Sequence, residues 1–297
     1  MAATPLSQLG EEAVLSRLLK HAPAADSSLL QGPGDDCAVV RRNEEWDTLL
    51  KTDALVEGVH FSPGTEPHLI GRKALARAVS DIAAMGGLPE HALVTLMAHP
   101  SRPVEQLEGV YCGLSELAEQ FGISLAGGET TALPAEGLAL SVALTGRVKR
   151  GQAILRSGGQ VGDVLCVSGR LGGSFESGRH LSFTPRVELA QQLLTLGLRP
   201  HAMMDLSDGL AMDLPRMARA SGCAFELDAA ALPCHPGCTA RQAMEDGEDY
   251  ELLMALPPEL AARLPQHPQL ALTPIGRLVA GHSRALPGGW QHFSSPA

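Results

Sequence analysis

Apolar residues recur along this chain at two periods, one helical and one strand-like. Over residues 9–21, Val14, Leu15, Leu18 and Leu19 fall at helical spacing and predict a first helix. Residues 37–40 and 48–52 read as strands. A longer helix is predicted over 68–85, with Leu75, Ala78, Val79 and Ile82 on one face and Gly86-Gly87 stopping it. A strand at 93–98, a helix at 104–121, a short strand at 123–125 and a strand-like alternation at 138–147 complete an N-terminal α+β unit. Residues 149–162 are Gly-rich and polar and read as a linker. Beyond them come a strand at 164–168, a helix at 186–196, a strand at 202–205 and a helix at 209–220. Further strands are expected near Phe225, over 250–255 and over 270–275. The expected fold is therefore two-domain, α+β with α/β layering: a mixed-sheet domain over 1–148 and an α/β domain over 149–297.

The chain's 297 residues suit two domains, because a single core rarely grows far beyond about 250 residues. Only 3% of residues are aromatic and 32 are glycine, so Ala, Leu and Val must build the core between many tight turns. A net charge of −10 argues against nucleic acid or an anionic membrane as partner, but divalent ions reverse that sign locally for phosphate ligands. No apolar run reaches the roughly 18 residues of a membrane span. Residues 1–19 carry Glu11 and Glu12 with no basic segment before an apolar stretch, so no signal peptide is expected. The isolated Cys37, Cys112, Cys166 and Cys223 read as reduced core residues of a cytoplasmic protein. Cys234 and Cys238 have the spacing of a zinc half-site, but without a second ligand pair nearby in the sequence a turn is expected.

Four acidic signatures carry the chemistry. Asp35 and Asp36 follow Gly32-Pro33-Gly34; a turn accounts for Gly and Asp, but adjacent like charges beside a strand suit a cation. Thr52-Asp53 closes the next predicted strand, where it could share a sheet edge with Asp36. Asp81 lies about a turn from a helix end, where the macrodipole disfavours an anion, among Val79, Ile82, Ala83 and Ala84. It is either a solvated surface residue or neutralised by a cation. In Asp205-Leu206-Ser207-Asp208-Gly209, Ser207 or Asp208 can serve as N-cap, and the same helix start can hold a metal-bridged phosphate. Carboxylates so placed are costly to bury without a positive partner. Oxygen ligands without clustered His or Cys suit Mg²⁺, and so phosphate chemistry.

Gly127-Gly128-Glu129-Thr130-Thr131 reads as a glycine turn able to bring backbone N–H groups to phosphates. No Gly-x4-Gly-Lys-Ser/Thr loop, His-Arg-Asp or Asp-Phe-Gly signature, Gly-x-Ser-x-Gly elbow or His-x-x-x-His pattern occurs. Arg147 and Arg156 flank the linker; each reads either as a surface charge or as a cation reaching phosphate oxygens from the cleft, and Arg156 is the favoured one for that role. His60 is the histidine beside the acidic signatures, either structural or facing substrate.

In order, these motifs resemble the thiamine-monophosphate kinases, a branch of the family that includes aminoimidazole ribonucleotide synthetase and selenophosphate synthetase. The matching stretches are Gly34-Asp35-Asp36-Cys37-Ala38-Val39, Thr52-Asp53 through Glu57-Gly58-Val59-His60-Phe61, and Ser80-Asp81-Ile82-Ala83-Ala84-Met85-Gly86. Gly127-Gly128-Glu129-Thr130-Thr131, Asp205-Leu206-Ser207-Asp208-Gly209-Leu210 and Gly247-Glu248-Asp249-Tyr250-Glu251-Leu252 follow. The resemblance implies ATP-dependent phosphorylation of thiamine monophosphate to the diphosphate. It also implies a homodimer whose N-terminal domains pair through their sheets, with ATP in a cleft nearby. Carried over by motif, Asp36, Thr52, Asp53, Asp81, Glu129, Asp205 and Asp208 surround Mg²⁺ ions, with Asp36, Asp53, Asp81 and Asp205 the catalytic carboxylates. Tyr111, Gly128, Glu129, Arg156 and Ser207 lie at ATP, while His60, Glu248 and Trp290 face thiamine monophosphate.

Glu129 stands where the family commonly has Asp, and Glu245-Asp246 precedes Gly247 where smaller residues are usual. The first alters metal geometry by one methylene; the second adds negative charge beside the substrate. The acceptor is already ionised, so direct in-line transfer without a phosphoenzyme is expected. Competing expectations are a relative acting on another acceptor and a nucleotide- or metal-binding regulator that has lost turnover. Selenophosphate synthesis would call for a Cys before Gly34-Asp35-Asp36, and hydrogenase maturation for a C-terminal cysteine tail where this chain reads Ser294-Ser295-Pro296-Ala297.

Overall fold

The computed structural model describes residues 5–290; the C-terminal stretch 294–297 weighed above lies outside them. Helix α1 (Glu11–Leu19) precedes strands β1 (Leu29–Gln31), β2 (Ala38–Arg41) and β3 (Trp46–Val56). Helix α2 (Pro67–Ala84), strand β4 (Leu88–Ala98), helix α3 (Val104–Phe121) and strands β5 (Ser124–Ala132) and β6 (Leu138–Lys149) follow. The strands form one mixed sheet in the order β1-β2-β3-β6-β4-β5. Only β4 and β5, joined through α3, run parallel. Leu49 and Leu55 of β3 and Leu140, Val142 and Leu144 of β6 bury against Leu75, Val79 and Ile82 of α2. On the other side of the sheet Leu50 and Leu93 are exposed, as is nearly all of the edge strand β5.

The chain then forms β7 (Val164–Ser168), α4 (Val187–Thr195), β8 (Ala202–Asp205), α5 (Leu210–Ala220) and β9 (Ala224–Leu227). Helix α6 (Ala240–Glu245), strand β10 (Leu252–Leu256), helix α7 (Pro258–Ala261) and strand β11 (Leu272–Val279) complete it. This second sheet, β8-β10-β7-β11-β9, is antiparallel throughout. Both its faces are covered, so β10 is apolar at every position rather than alternating. Ala84 at the end of α2 joins the cluster of Cys166, Met203, Leu252 and Met254 on one of those faces. Helix α2 thus belongs to both cores, and this placement positions the site.

Three expectations are corrected. Strand β3 extends to Val56, so Asp53 lies inside it rather than at its end; Lys51 and Asp53 interrupt the apolar alternation because each is paired across the core. Gly127-Gly128-Glu129-Thr130 is strand, not turn, with a bulge opposite Ala92/Leu93. Gly128 is needed there because a Cβ would lie 1.8 Å from the Val94 carbonyl oxygen. Cys112 is exposed on α3, whereas Cys37, Cys166 and Cys223 are buried.

Helices α2 and α3 cross backbone to backbone. A Cβ on Gly71 would lie 1.8 Å from the Val110 carbonyl oxygen, and one on Gly113 would lie 1.9 Å from that of His68. Neither neighbour is a flexible tip, so Gly113→Ala forces the helices apart and is expected to destabilise by about 2–3 kcal/mol. Gly122 closes α3 with a φ of 65° in open space, so Gly122→Ala meets only backbone strain, about 1 kcal/mol. Urea unfolding of the two variants should therefore show the larger shift for Gly113→Ala.

Candidate active site

The C-terminal turns of α2 and the end of β8 meet at the junction of the two sheets. There Ser80 Oγ donates a hydrogen bond to Asp205 Oδ2 at 2.7 Å. Asp36, from the turn before β2, joins Asp81 and Asp205; all three are buried, and one ligand oxygen from each lies within 4.8 Å of the others. Lys51 Nζ reaches Asp81 at 2.8 Å and Arg156 reaches Asp36 at 2.5 Å. Asp35 accepts the Arg156 backbone N–H at 3.1 Å, which ties the linker to the turn. Burial, with the Asp36 charge, pushes Asp205 up to about 6. Burial also drives Asp81 well above the usual carboxylate range; Lys51 opposes this, and Asp205, Asp53 and Asp36 add to it. Mutual repulsion among buried oxygens, within reach of a single ion, is what a hard divalent cation relieves, so the donor set fits Mg²⁺.

The other acidic residues lie around this centre. Asp53 pairs with Arg77 at 3.1 Å. Thr52 is exposed on the opposite face of β3, as strand alternation requires. Glu129 is exposed on β5 in register with Thr95, outside the buried trio, and Tyr111 is exposed on α3. Asp208 pairs with Arg216. Neither Ser207 nor Asp208 caps α5, whose N-cap is Gly209 at φ 96° with no side-chain cap bond. Asp213 folds back instead and accepts the Ser207 and Asp208 N–H groups, each at 3.1 Å.

Beside the trio opens a cavity of about 430 Å³. Phe175 and Trp290 supply its aromatic walls, and His60, Arg77, Ser207, Asp208 and Glu248 line it. Lys73 of α2 is fully buried and organises one wall. Its ammonium donates to the His60 carbonyl at 2.5 Å, meets His180 Nδ1 at 2.6 Å and pairs with Glu248. His60 Nδ1 accepts the Val56 N–H at 3.0 Å, and burial lowers the ring to about 4, so it is neutral near pH 7. Glu248 and Tyr250 hold left-handed backbone, φ 67° and 52°, unusual for non-glycine residues. Bonds from their N–H groups to Ser207 and Leu206 carbonyls, at 2.7 and 2.9 Å, fix this conformation, as does Tyr250 stacking on Phe183. The second half of the site is thus two loops clamped together.

Known proteins share this fold. The AIR synthase related protein N-terminal domain profile matches residues 34–148, and the C-terminal domain profile matches 150–286. The chain belongs to the AIR synthase related family. Among its relatives, a thiamine-monophosphate kinase of Rhodopirellula baltica is 38% identical, covering 78% of this chain and 77% of that protein. The thiamine-monophosphate kinase of Haemophilus influenzae is 32% identical, covering 84% and 83%. The solved structure of AaThiL complexed with AMPPCP and TMP has a TM-score of 0.85 at 30% identity, over 98% of this chain and 100% of that one.

In this AIR synthase related chain, the sequence motifs bring Asp36, Asp81 and Asp205 together and line the cavity with His60, Glu248 and Trp290. Sequence reasoning missed Lys51, Lys73, Arg77, His180 and Asp213. The signal for Lys73 was present: it follows Arg72 inside a helix otherwise rich in Ala and Leu, on the face that is buried. His180 left none, because it arrives from a 3-10 turn far along the chain.

Burial acts to raise Glu248, but the His180 hydrogen bond and the Lys73 and Arg77 charges hold it at about 2, below its ordinary 4.5. A carboxylate lowered on folding stabilises above its unfolded pKa and loses that stabilisation as pH falls toward the folded one. Glu248→Gln should therefore cost about 3 kcal/mol at pH 7, where it leaves Lys73 buried without its anion. Denaturant unfolding as a function of pH should show the gap between variant and wild type closing between about 4.5 and 2.

Proposed function

We propose that this protein transfers the γ-phosphoryl group of ATP to the phosphate of thiamine monophosphate, giving thiamine diphosphate. The observation that carries it is the buried Asp36–Asp81–Asp205 cluster beside an aromatic, acid-lined cavity, in a chain related to thiamine-monophosphate kinases. A cationic thiazolium suits Trp290 and Phe175 together with Glu248 and Asp208. AaThiL, complexed with AMPPCP and TMP, supports ATP and thiamine monophosphate as the ligand pair.

Asp36, Asp81 and Asp205 would hold Mg²⁺, with Asp53 and Asp208 released from Arg77 and Arg216 to join them. Held by these carboxylates, Mg²⁺ would supply charge neutralisation for the transferring phosphoryl oxygens. The acceptor, a phosphate monoester with a second pKa near about 6, is largely dianionic at neutral pH and needs no general base. Neutral His60 accordingly orients rather than deprotonates, together with Glu248 and Trp290. An acceptor oxygen forms its bond to the γ-phosphorus as the bond to the ADP oxygen breaks, with no phosphoenzyme. Arg156, Ser207, Gly128 and Glu129 are assigned to the nucleotide and its metal; Thr52 as metal ligand and Tyr111 as nucleotide neighbour are carried by the resemblance alone.

We assign residues 1–148 to the ATP, Mg²⁺ and dimerisation domain and 149–297 to the domain that completes the cleft. Homodimerisation is supported by the open face of the first sheet, where Leu50 of β3 and Leu93 of β4 are exposed, and by the exposed edge strand β5. Among the described residues no helix is long and apolar enough to cross a membrane, and we place the protein in the cytoplasm.

ADP release measured with and without thiamine monophosphate tests the reaction. Stimulation by that compound is expected; ATP binding without stimulation would sink the proposal. Asp81→Asn should lower turnover by about 100-fold or more while circular dichroism shows an unchanged fold. Near-normal turnover in that variant would remove the cluster from the chemistry.

A further inference from the structure

Arg77 lies one helical turn before Asp81 on α2, so the two side chains share a face. Its Nη1 donates to the Ala54 carbonyl at 2.9 Å, and its Nη2 lies 3.1 Å from Asp53 Oδ1. The side chain is only 12% exposed, and Nε is buried without a hydrogen-bond partner among the described residues. A guanidinium carries five N–H donors, so these contacts leave donor capacity unused. Among the described residues lining the cavity Arg77 is also the sole Arg or Lys, and Glu176, Asp208, Glu245, Asp246 and Glu248 are its acidic members.

The cavity is consequently polarised. Its positive pole is the Arg77 corner, which adjoins Asp53 and through α2 reaches Asp81; the remaining charged lining is negative. Such a cavity matches a dipolar ligand, cationic at its ring and anionic at its other end. A phosphate dianion entering this acidic lining is repelled unless a cation receives it, and Arg77 is the cation fixed in the described lining. Arg does this better than Lys, because its planar fork can engage two phosphate oxygens. The Ala54 contact holds the fork in place before ligand arrives, which reduces the ordering needed on binding, and release of Asp53 to the metal would free Nη2 for a phosphate oxygen.

We infer that Arg77 is a specificity-determining residue that receives the acceptor's phosphate and selects thiamine monophosphate over unphosphorylated thiamine. The inference rests on the proposed reaction and adds to it the residue that recognises the phosphate, distinct from the carboxylates that would hold Mg²⁺. A purely structural Arg77, serving only to tie β3 to α2, would affect both ligands alike.

Calorimetric titration at saturating Mg²⁺ and non-hydrolysable ATP analogue, with thiamine monophosphate and thiamine as probes, separates these roles. Arg77→Gln should weaken thiamine monophosphate binding by about 10- to 100-fold and leave thiamine binding unchanged, collapsing the preference for the phosphorylated ligand. Arg77→Lys, which keeps the charge without the fork, should show an intermediate preference and carries the test should the Gln variant fail to fold. Equal weakening for both ligands, or an undiminished preference in the variants, would overturn the assignment. ADP release by the wild-type protein isolates the other premise: if thiamine monophosphate fails to stimulate it, the proposed reaction falls regardless of Arg77. If the wild type responds and the variants keep full preference, only the role of Arg77 falls.

Discussion

Three carboxylates buried where two sheets meet set the terms for the rest of this structure. Each ion removed from water costs several kcal/mol, and Asp36, Asp81 and Asp205 are taken out of water within one small volume. The protein places Lys51 and Arg156 against them, but Asp35 and Asp53 are close by as well. Nearby carboxylates outnumber the cations even with Arg77 included. A fold that wanted only stability would have apolar side chains here, since a buried ionic cluster is seldom better than packed hydrocarbon. The arrangement is coherent when a cation and a phosphate complete it.

Helix α2 enforces that arrangement. It is locked to α3 by glycines on both helices, and its last residues enter the second domain's core beside Met203 and Leu252. Along its length it carries Lys73 to one wall of the cavity, Arg77 to the corner between cavity and cluster, and Asp81 to the cluster. One rigid element therefore sets the distance between the place where a ligand is recognised and the place where phosphate charge is neutralised. The left-handed backbone at Glu248 and Tyr250 does the same work from the other domain, where the clamped loops of β8–α5 and residues 247–250 hold Asp205 and Glu248 in fixed relation.

Much of this was legible in the sequence, for reasons that can be named. The helix at 104–121 and the strands at 164–168 and 202–205 agree with the structure because local periodicity and tertiary burial point the same way. Strand β3 was truncated because charges on its core-facing side look like a strand end until Asp81 and Arg77 are seen opposite. Strand β5 was misread because Gly127-Gly128 signals a turn locally, whereas β4 passes too close for any side chain at Gly128. The acidic site residues stood out as anomalies in apolar sequence. Their cationic partners did not, because an isolated Lys or Arg on a helix ordinarily reads as surface.

The distinction between anomaly and partner also bears on the choice between an active enzyme and a metal-binding protein that has lost turnover. Glu129 raised that alternative, since its added methylene would shift any ligand oxygen. In the structure Glu129 is not one of the buried trio; it is exposed on the edge strand β5, where a longer side chain meets no packing constraint. A longer side chain inside the trio would have to displace a buried neighbour; one on an open strand can reposition its carboxylate by a change of rotamer. The buried carboxylates, with Lys73, Arg77 and the strained Glu248 turn built around the adjoining cavity, place a metal site and a shaped acceptor pocket side by side, which a working catalyst requires and metal binding alone does not.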